Sequence, residues 1–256
     1  MLPIKDYNPV TRQAIVVPIL IAINAFMFFF VQPTLRGGGQ ESSEVRQIRF
    51  VICKAAIPYE VMHGQRLADA QTTDRTTAVF GAVERSGCPG KNVWLSILTS
   101  MFLHGGFLHI AGNMLFLWIF GNNVEDRLGR VRFLLFYLLC GLAATYAQAV
   151  VSPSSPQPMI GASGAIAGVL GAYIVMFPRA RVRTLFLFFF ITIFDVPAVV
   201  LLGLWFAMQI LQGVGSVTGR AGDQVAYMAH VGGFVAGVVL LYAFRPRREP
   251  TPMLPY

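Results

Sequence analysis

A serine, two histidines and an asparagine are the residues of this chain best suited to chemistry. Ser163 lies in MIGASGAIAGVL (159–170), flanked by glycines and alanines inside an apolar run. His230 lies in AHVGGFVAG, in the last apolar run. His109 and Asn113 are four residues apart, so on a helix they share one face. Serine is a weak nucleophile until a base takes its proton, and His230 is the only imidazole in the later apolar runs. Asn113, with His109 and backbone N–H groups at the Ser163 turn, can hold the oxyanion of a tetrahedral intermediate. Asp223 falls at a loop end and Asp195 on the opposite side of the membrane, so no carboxylate reaches this depth to orient the histidine. These are the parts of an acyl-transfer site built on a serine–histidine dyad.

Each residue also has a plainer use. Ser163 in GASG can let helices approach closely, as small residues do in membranes. His230 can be a buried hydrogen-bonding group, and Asn113 can bond one helix to another. Gly164, Gly168 and Gly171, with Gly233 and Gly237, read as packing residues under either view. What favours chemistry is that the four polar side chains reach one layer, roughly 5–10 Å below one surface by helix rise.

The elements that must hold them are read from composition. The chain has 256 residues, 55% hydrophobic and only 12% charged. Soluble domains carry about twice that charge, so the bilayer is the expected solvent. Apolar runs at Ala14–Val31, Phe107–Gly121 (within the uncharged stretch Val93–Val124), Phe133–Val151, Gly161–Phe177, Ala198–Gly215 and Val225–Phe244 predict six spans. The first is longer than a signal core and is followed by no small-x-small cleavage site, so it is expected to be retained. Thr184–Phe194 is apolar but too short to cross, and is expected to lie in the interface. The expectation is an all-α, polytopic fold. Residues 1–32 hold the cytoplasmic N-terminus and first helix, 33–92 an extracytoplasmic loop, 93–244 the core and 245–256 a cytoplasmic tail.

Charge placement supports that count. Lys5, Arg12, Arg127, Arg130, Arg132, Arg179, Arg181, Arg183, Arg245, Arg247 and Arg248 fall on the inner side of a six-span topology, and Arg220 alone in the short outer loops. The net charge of +8 is therefore topology-setting rather than a nucleic-acid footprint, and no basic groove with interleaved aromatics accompanies it. His63 lies in the long polar segment and calls for no chemistry. The three cysteines form no CxxC pattern, and no HExxH occurs, so no metal is expected. Cys140 reads as a small buried residue. Cys53 and Cys88 share the polar segment, and whether they pair is left open. Gly213–Gln224, between the last two runs, is expected to be a mobile cap over the site.

Taken together, HGGFLHIAGN (104–113), NVEDRLG (123–129), GASG (161–164) and AHVGG (229–233) resemble the rhomboid family of intramembrane serine proteases, in that family's order and spacing over about Val93–Phe244. The resemblance implies a six-helix bundle, Ser163 as nucleophile and His230 as general base. It also implies an oxyanion hole lined by His109, Asn113 and the Ser163 backbone, and a structural pair in Glu125 and Arg127. Substrates would be single-span membrane proteins cut in or near the bilayer, with no metal, nucleotide or other cofactor. One position departs: where some rhomboids place a tyrosine against the histidine, this chain has Ala167. Two rival classes are a non-catalytic rhomboid-like protein that binds client transmembrane helices and a small transporter. The set of Ser163, His230 and Asn113 argues against the first, and the lack of an internal repeat against the second.

Overall fold

The computed structural model describes residues 2–33, 42–70, 74–187, 191–217 and 225–244. Ten helices and a three-stranded sheet make up the described chain. Strand β1 (Leu2–Asp6) leads into helix α1 (Val16–Phe26), which continues in a π-helical turn, Met27–Val31. Four short helices follow: α2 (Ser43–Lys54), α3 (Pro58–His63), α4 (Arg75–Gly87) and α5 (Val93–Ser100). The long helices α6 (Phe107–Leu128) and α7 (Arg130–Val151) are separated only by Gly129. That residue has φ +81°, which breaks the helix between them. After α8 (Ser163–Met176) come strands β2 (Arg181–Leu187) and β3 (Ile191–Pro197), then α9 (Ala198–Val217) and α10 (Tyr227–Phe244).

Among the described residues, Arg130–Val151, Ala198–Ser216 and Tyr227–Phe244 are long and apolar enough to cross a membrane; Val16–Val31 and Ser163–Met176 are shorter apolar helices. Helix α6 has the length but ends in a polar turn that runs past the expected stop at Gly121. The acid in that turn has a structural use. Glu125 accepts from the backbone N–H groups of Ile15, Val16 and Val17 at 2.8, 3.0 and 2.8 Å, satisfying the free amides at the start of α1. Arg127 lies over the Phe177 ring at 5.3 Å.

The fold is not all-α. The described residues of Thr184–Phe194 are not helical; they belong to an antiparallel hairpin, β2–β3, that begins at Arg181. Residues 188–190 lie outside the described chain. The physical reason is alternation. Arg181 and Arg183 are exposed while Val182 and Thr184 are buried, which is the period of a half-buried strand. Arg183 bonds Asp195 across the hairpin at 3.1 Å. The other side of β2 pairs with β1, whose Pro3 is tolerated because β1 is an edge strand. Asp6 then reaches into the bundle, accepting from Asn123 at 2.6 Å and Tyr173 at 2.8 Å.

Residues 42–70 and 74–100 form a helical cap whose α3 and α5 pack against α7. Cys53 and Cys88 are disulfide-bonded, which resolves the open pairing and ties α2 to the end of α4. Inside the cap, Lys91 Nζ sits 2.6 Å from Glu60 and 3.9 Å from Glu84, all three side chains fully buried. Burial pushes the Glu60 carboxyl up to about 7, against the opposing pull of Lys91.

The helices around Ser163 and His230 pack closely. Helices α7, α8 and α10 pack against one another, with small residues where they meet. A Cβ placed on Gly168 would lie 2.4 Å from Cys140 of α7, and one on Gly237 would lie 2.0 Å from the Gly168 carbonyl oxygen. Only glycine lets these backbones come so near.

Candidate active site

Helices α6, α8 and α10 all begin at the same end of the bundle, and each carries its polar residue near that end. His109 and Asn113 lie in the first two turns of α6, Ser163 is the first residue of α8, and His230 is in the first turn of α10. A shared cavity of about 530 Å³ is bordered by His109, Asn113, Ser163 and His230, with Trp205 and Met159 among its other walls. Every candidate residue from the sequence is therefore brought to one place.

The chain before Ser163 is held from two sides. Met159 N–H donates to the Ala56 carbonyl at 2.7 Å and Gly161 N–H to that of Ser100 at 3.0 Å. Gly161 has φ +120°, and a Cβ there would lie 2.8 Å from His109 Nε2 and 3.6 Å from Asn113 Nδ2. A side chain at 161 would thus be strained and would crowd both ring and amide. Ala162 caps α8 with no side-chain bond, and the first intrahelical bond runs from Ile166 N–H to the Ala162 carbonyl at 3.0 Å. The earlier amides of this turn, including those of Ser163 and Gly164, have no partner within the helix. They face the positive end of the helix dipole, where negative charge is favoured.

His230 Nε2 lies 2.8 Å from Ser163 Oγ, and its Nδ1 lies 2.7 Å from Gln209 Oε1 on α9. An imidazole nitrogen that accepts from a serine hydroxyl can take its proton as the oxygen attacks a carbonyl carbon. Trp205, one turn before Gln209, packs on the same ring at 5.9 Å between centroids, tilted by 35°. Tyr227 meets it edge-on at 6.5 Å. These two aromatic groups flank the His230 ring, and Ala167 lines the same cavity. The start of α10 is itself capped from α7, where Gln148 Oε1 accepts from Met228 and Ala229 N–H at 3.1 and 3.3 Å.

The donors opposite are arranged for an anion. Gly105 N–H points at His109 Nδ1 at 3.3 Å, so Nδ1 is the acceptor and the ring proton sits on Nε2, on the Gly161 side. Asn113 is 8% exposed, and its Nδ2 is buried with no acceptor among the described residues. A buried amide donor normally finds a partner, so an unmatched one beside a serine fits an acceptor that arrives with a ligand. His104 is elsewhere: it is fully buried, with its ring edge-on to His109 at 5.2 Å. Gln32 bonds both backbone groups of His104, at 3.0 and 2.9 Å.

Three glutamines leave a weaker trace in the sequence than the ionisable and hydroxyl groups do. Gln32, Gln148 and Gln209 are uncharged and leave the hydropathy of their runs nearly intact. A polar amide inside an apolar run was the available signal, since such a group must be paired in the bilayer. Only part of the expected cap, Gly213–Gln224, falls on described residues. Gly213–Val217 continue helix α9, and residues 218–224 lie outside the described chain.

Known proteins carry the same core. The family profile of the Rhomboid domain matches residues 91–247. Rhomboid protease GluP of Bacillus subtilis is 37% identical over 158 residues, covering 62% of this chain and 30% of its own length. Rhomboid protein 1, mitochondrial, of Saccharomyces cerevisiae is 32% identical over 156 residues, covering 57% of this chain and 40% of its own. RHOMBOID-like protein 5 of Arabidopsis thaliana is 29% identical over 165 residues, covering 64% and 48%. The matched region thus spans less than half the length of each of these relatives. It includes both glycine-framed motifs and the helix that bears His109 and Asn113, and it takes in more than half of the chain: the protein belongs to the rhomboid family.

Proposed function

We propose that the protein is an intramembrane serine endopeptidase that cuts transmembrane segments through Ser163 and His230. The observation that carries this reading is the 2.8 Å contact between Ser163 Oγ and His230 Nε2 at the edge of a cavity. Ser163 attacks the scissile carbonyl as His230 takes its proton. His109 Nε2, Asn113 Nδ2 and the first amides of α8 receive the oxyanion. His230 then returns the proton to the leaving amine, and a water molecule, activated the same way, releases the acyl-enzyme. The protease-named relatives support the reaction class. The 14 residues of α8 rise about 21 Å, short of a hydrocarbon core of about 30 Å, which supports a serine recessed below the membrane surface. Substrates are single-span membrane proteins whose helix ends unwind enough to enter the cavity.

The direct test is incubation of the reconstituted protein with a transmembrane substrate, together with a fluorophosphonate probe and mass-spectrometric mapping of the label. Labelling at Ser163 and a cleaved product are expected. A protein that binds the substrate helix but neither labels nor cuts it would be a non-catalytic member of the family. Asn113→Ala is expected to lower kcat by about 10²-fold, the worth of one oxyanion donor, with little change in KM. An unchanged kcat would remove Asn113 from the oxyanion hole.

The same reading includes six spans in the cell membrane, both termini cytoplasmic and the disulfide-bonded cap outside. The arginine distribution supports it, as does a disulfide, which persists in oxidising compartments. A reporter that is active only in the cytoplasm, fused after Tyr256, is expected to be active. Activity only from an external reporter at that site would overturn the topology.

A further inference from the structure

We infer that Gln209 is a positioning residue: its side-chain oxygen holds His230 in the one tautomer that can deprotonate Ser163. The inference rests on the Ser163–His230 reading and adds a third member to it, on helix α9.

A neutral imidazole carries one proton. For Nε2 to accept from Ser163 Oγ–H, that proton must be on Nδ1, and an Nδ1–H in an apolar setting needs an acceptor. Gln209 Oε1 lies 2.7 Å from Nδ1, and Gln209 is 7% exposed. With the amide turned about, its NH₂ group would donate to Nδ1 and drive the proton onto Nε2. Ser163 would then face a donor and keep its own proton. The orientation with Oε1 toward the ring is the productive one.

Chemistry of the site explains why an amide serves here. No carboxylate borders the cavity among the described residues. A carboxylate in that place would favour the imidazolium but would bury a charge at membrane depth whenever the histidine is neutral. An amide oxygen orients the ring without that cost. Helix α9 contributes Gln209 together with Trp205, four residues earlier and on the same face. The helix thus supplies both the acceptor and a flat wall for the His230 ring. Correct seating of α9 is then a condition for activity.

Three variants of the full chain, reconstituted in lipid, test this. Gln209→Met keeps the volume and removes the acceptor, Gln209→Asn keeps the amide but falls one methylene short, and Gln209→Glu keeps an acceptor in reach. The readouts are kcat and KM on a transmembrane substrate, the rate of fluorophosphonate labelling, and ¹⁵N spectra of histidine-labelled protein, with His230 assigned by its loss in His230→Ala. Met and Asn are expected to lower kcat and labelling about 10- to 100-fold with KM within about twofold. They should also convert the His230 spectrum from a single Nδ1–H tautomer to a mixture. Glu is expected to restore most of the turnover. A full labelling rate in Gln209→Met, or a His230 tautomer unchanged by it, would overturn the positioning role alone. Absence of labelling in the unsubstituted protein would instead overturn the nucleophile reading. If Gln209→Met folds poorly, Gln209→Asn carries the same readouts.

Discussion

Ser163→Ala protein, purified free of other proteases, is expected to cut a transmembrane substrate at least ~10⁴-fold more slowly than the unsubstituted protein, with nearly the same thermal stability. The two halves of this expectation come from different physics. Removing Oγ removes the atom that bonds to the carbonyl carbon, and in serine proteases the remaining oxyanion donors and binding contacts recover only a small part of the rate. Folding loses one hydrogen bond, to His230, a net contribution of about 1 kcal/mol. Alanine is in turn the better helix former at the start of α8. A residue kept only as a spacer would give the opposite pattern, because alanine is equally small and would support full turnover. Cleavage by Ser163→Ala at a rate near that of the unsubstituted chain would return Ser163 to a packing role. A large drop in melting temperature would mean that the loss of activity reports on folding.

How far the site was legible depends on what kind of signal each residue leaves. Ser163, His109, Asn113 and His230 were legible because a hydroxyl, imidazole or amide in an apolar run near a span end is expensive unless it is used. Gln209 leaves the same kind of trace, but what it does depends on which helix stands beside α10. That pairing is a tertiary fact, which no spacing between residues 209 and 230 encodes. The hairpin is hidden for a different reason. Arg181 and Arg183 read equally well as inner-side charges, which masks the alternation with Val182 and Thr184 that marks a strand. Its partner β1 lies at the start of the chain, beyond any local pattern. Helix α6 overran its expected end because Glu125, which hydropathy treats as a stop, is satisfied by the amides of α1. The span count from apolar length alone would also have been lower, since α8 is only 14 residues long and α6 carries charge in its last turn.

Close approach of α8 and α10 is what brings the serine and histidine together, and Gly233→Ala tests it at the contact beside the dyad. A Cβ on Gly233 would sit 2.1 Å from the carbonyl oxygen of Gly164 and 3.3 Å from the Ala144 side chain. The first contact is with backbone and cannot be relieved by a rotamer change, so α10 must move by roughly 1 Å or more to regain ordinary separation. Gly164 adjoins Ser163, and Gly233 lies one turn after His230, so the shift acts directly on the 2.8 Å contact between them. Misplacement of a catalytic group by about 1 Å is worth about 10²-fold in rate. Overpacking of this kind also costs typically 1–3 kcal/mol of stability. Gly233→Ala is therefore expected to lose about 10²-fold or more in kcat and several degrees in melting temperature, a joint loss that sets it apart from Ser163→Ala. Gly203→Ala on α9 is the matched control, because a Cβ there meets nothing within 4 Å and alanine favours the helix. It should leave both quantities unchanged or raise the stability slightly. Equal activity and melting temperature in Gly233→Ala and the unsubstituted protein would show that the two helices do not need this contact to set the dyad.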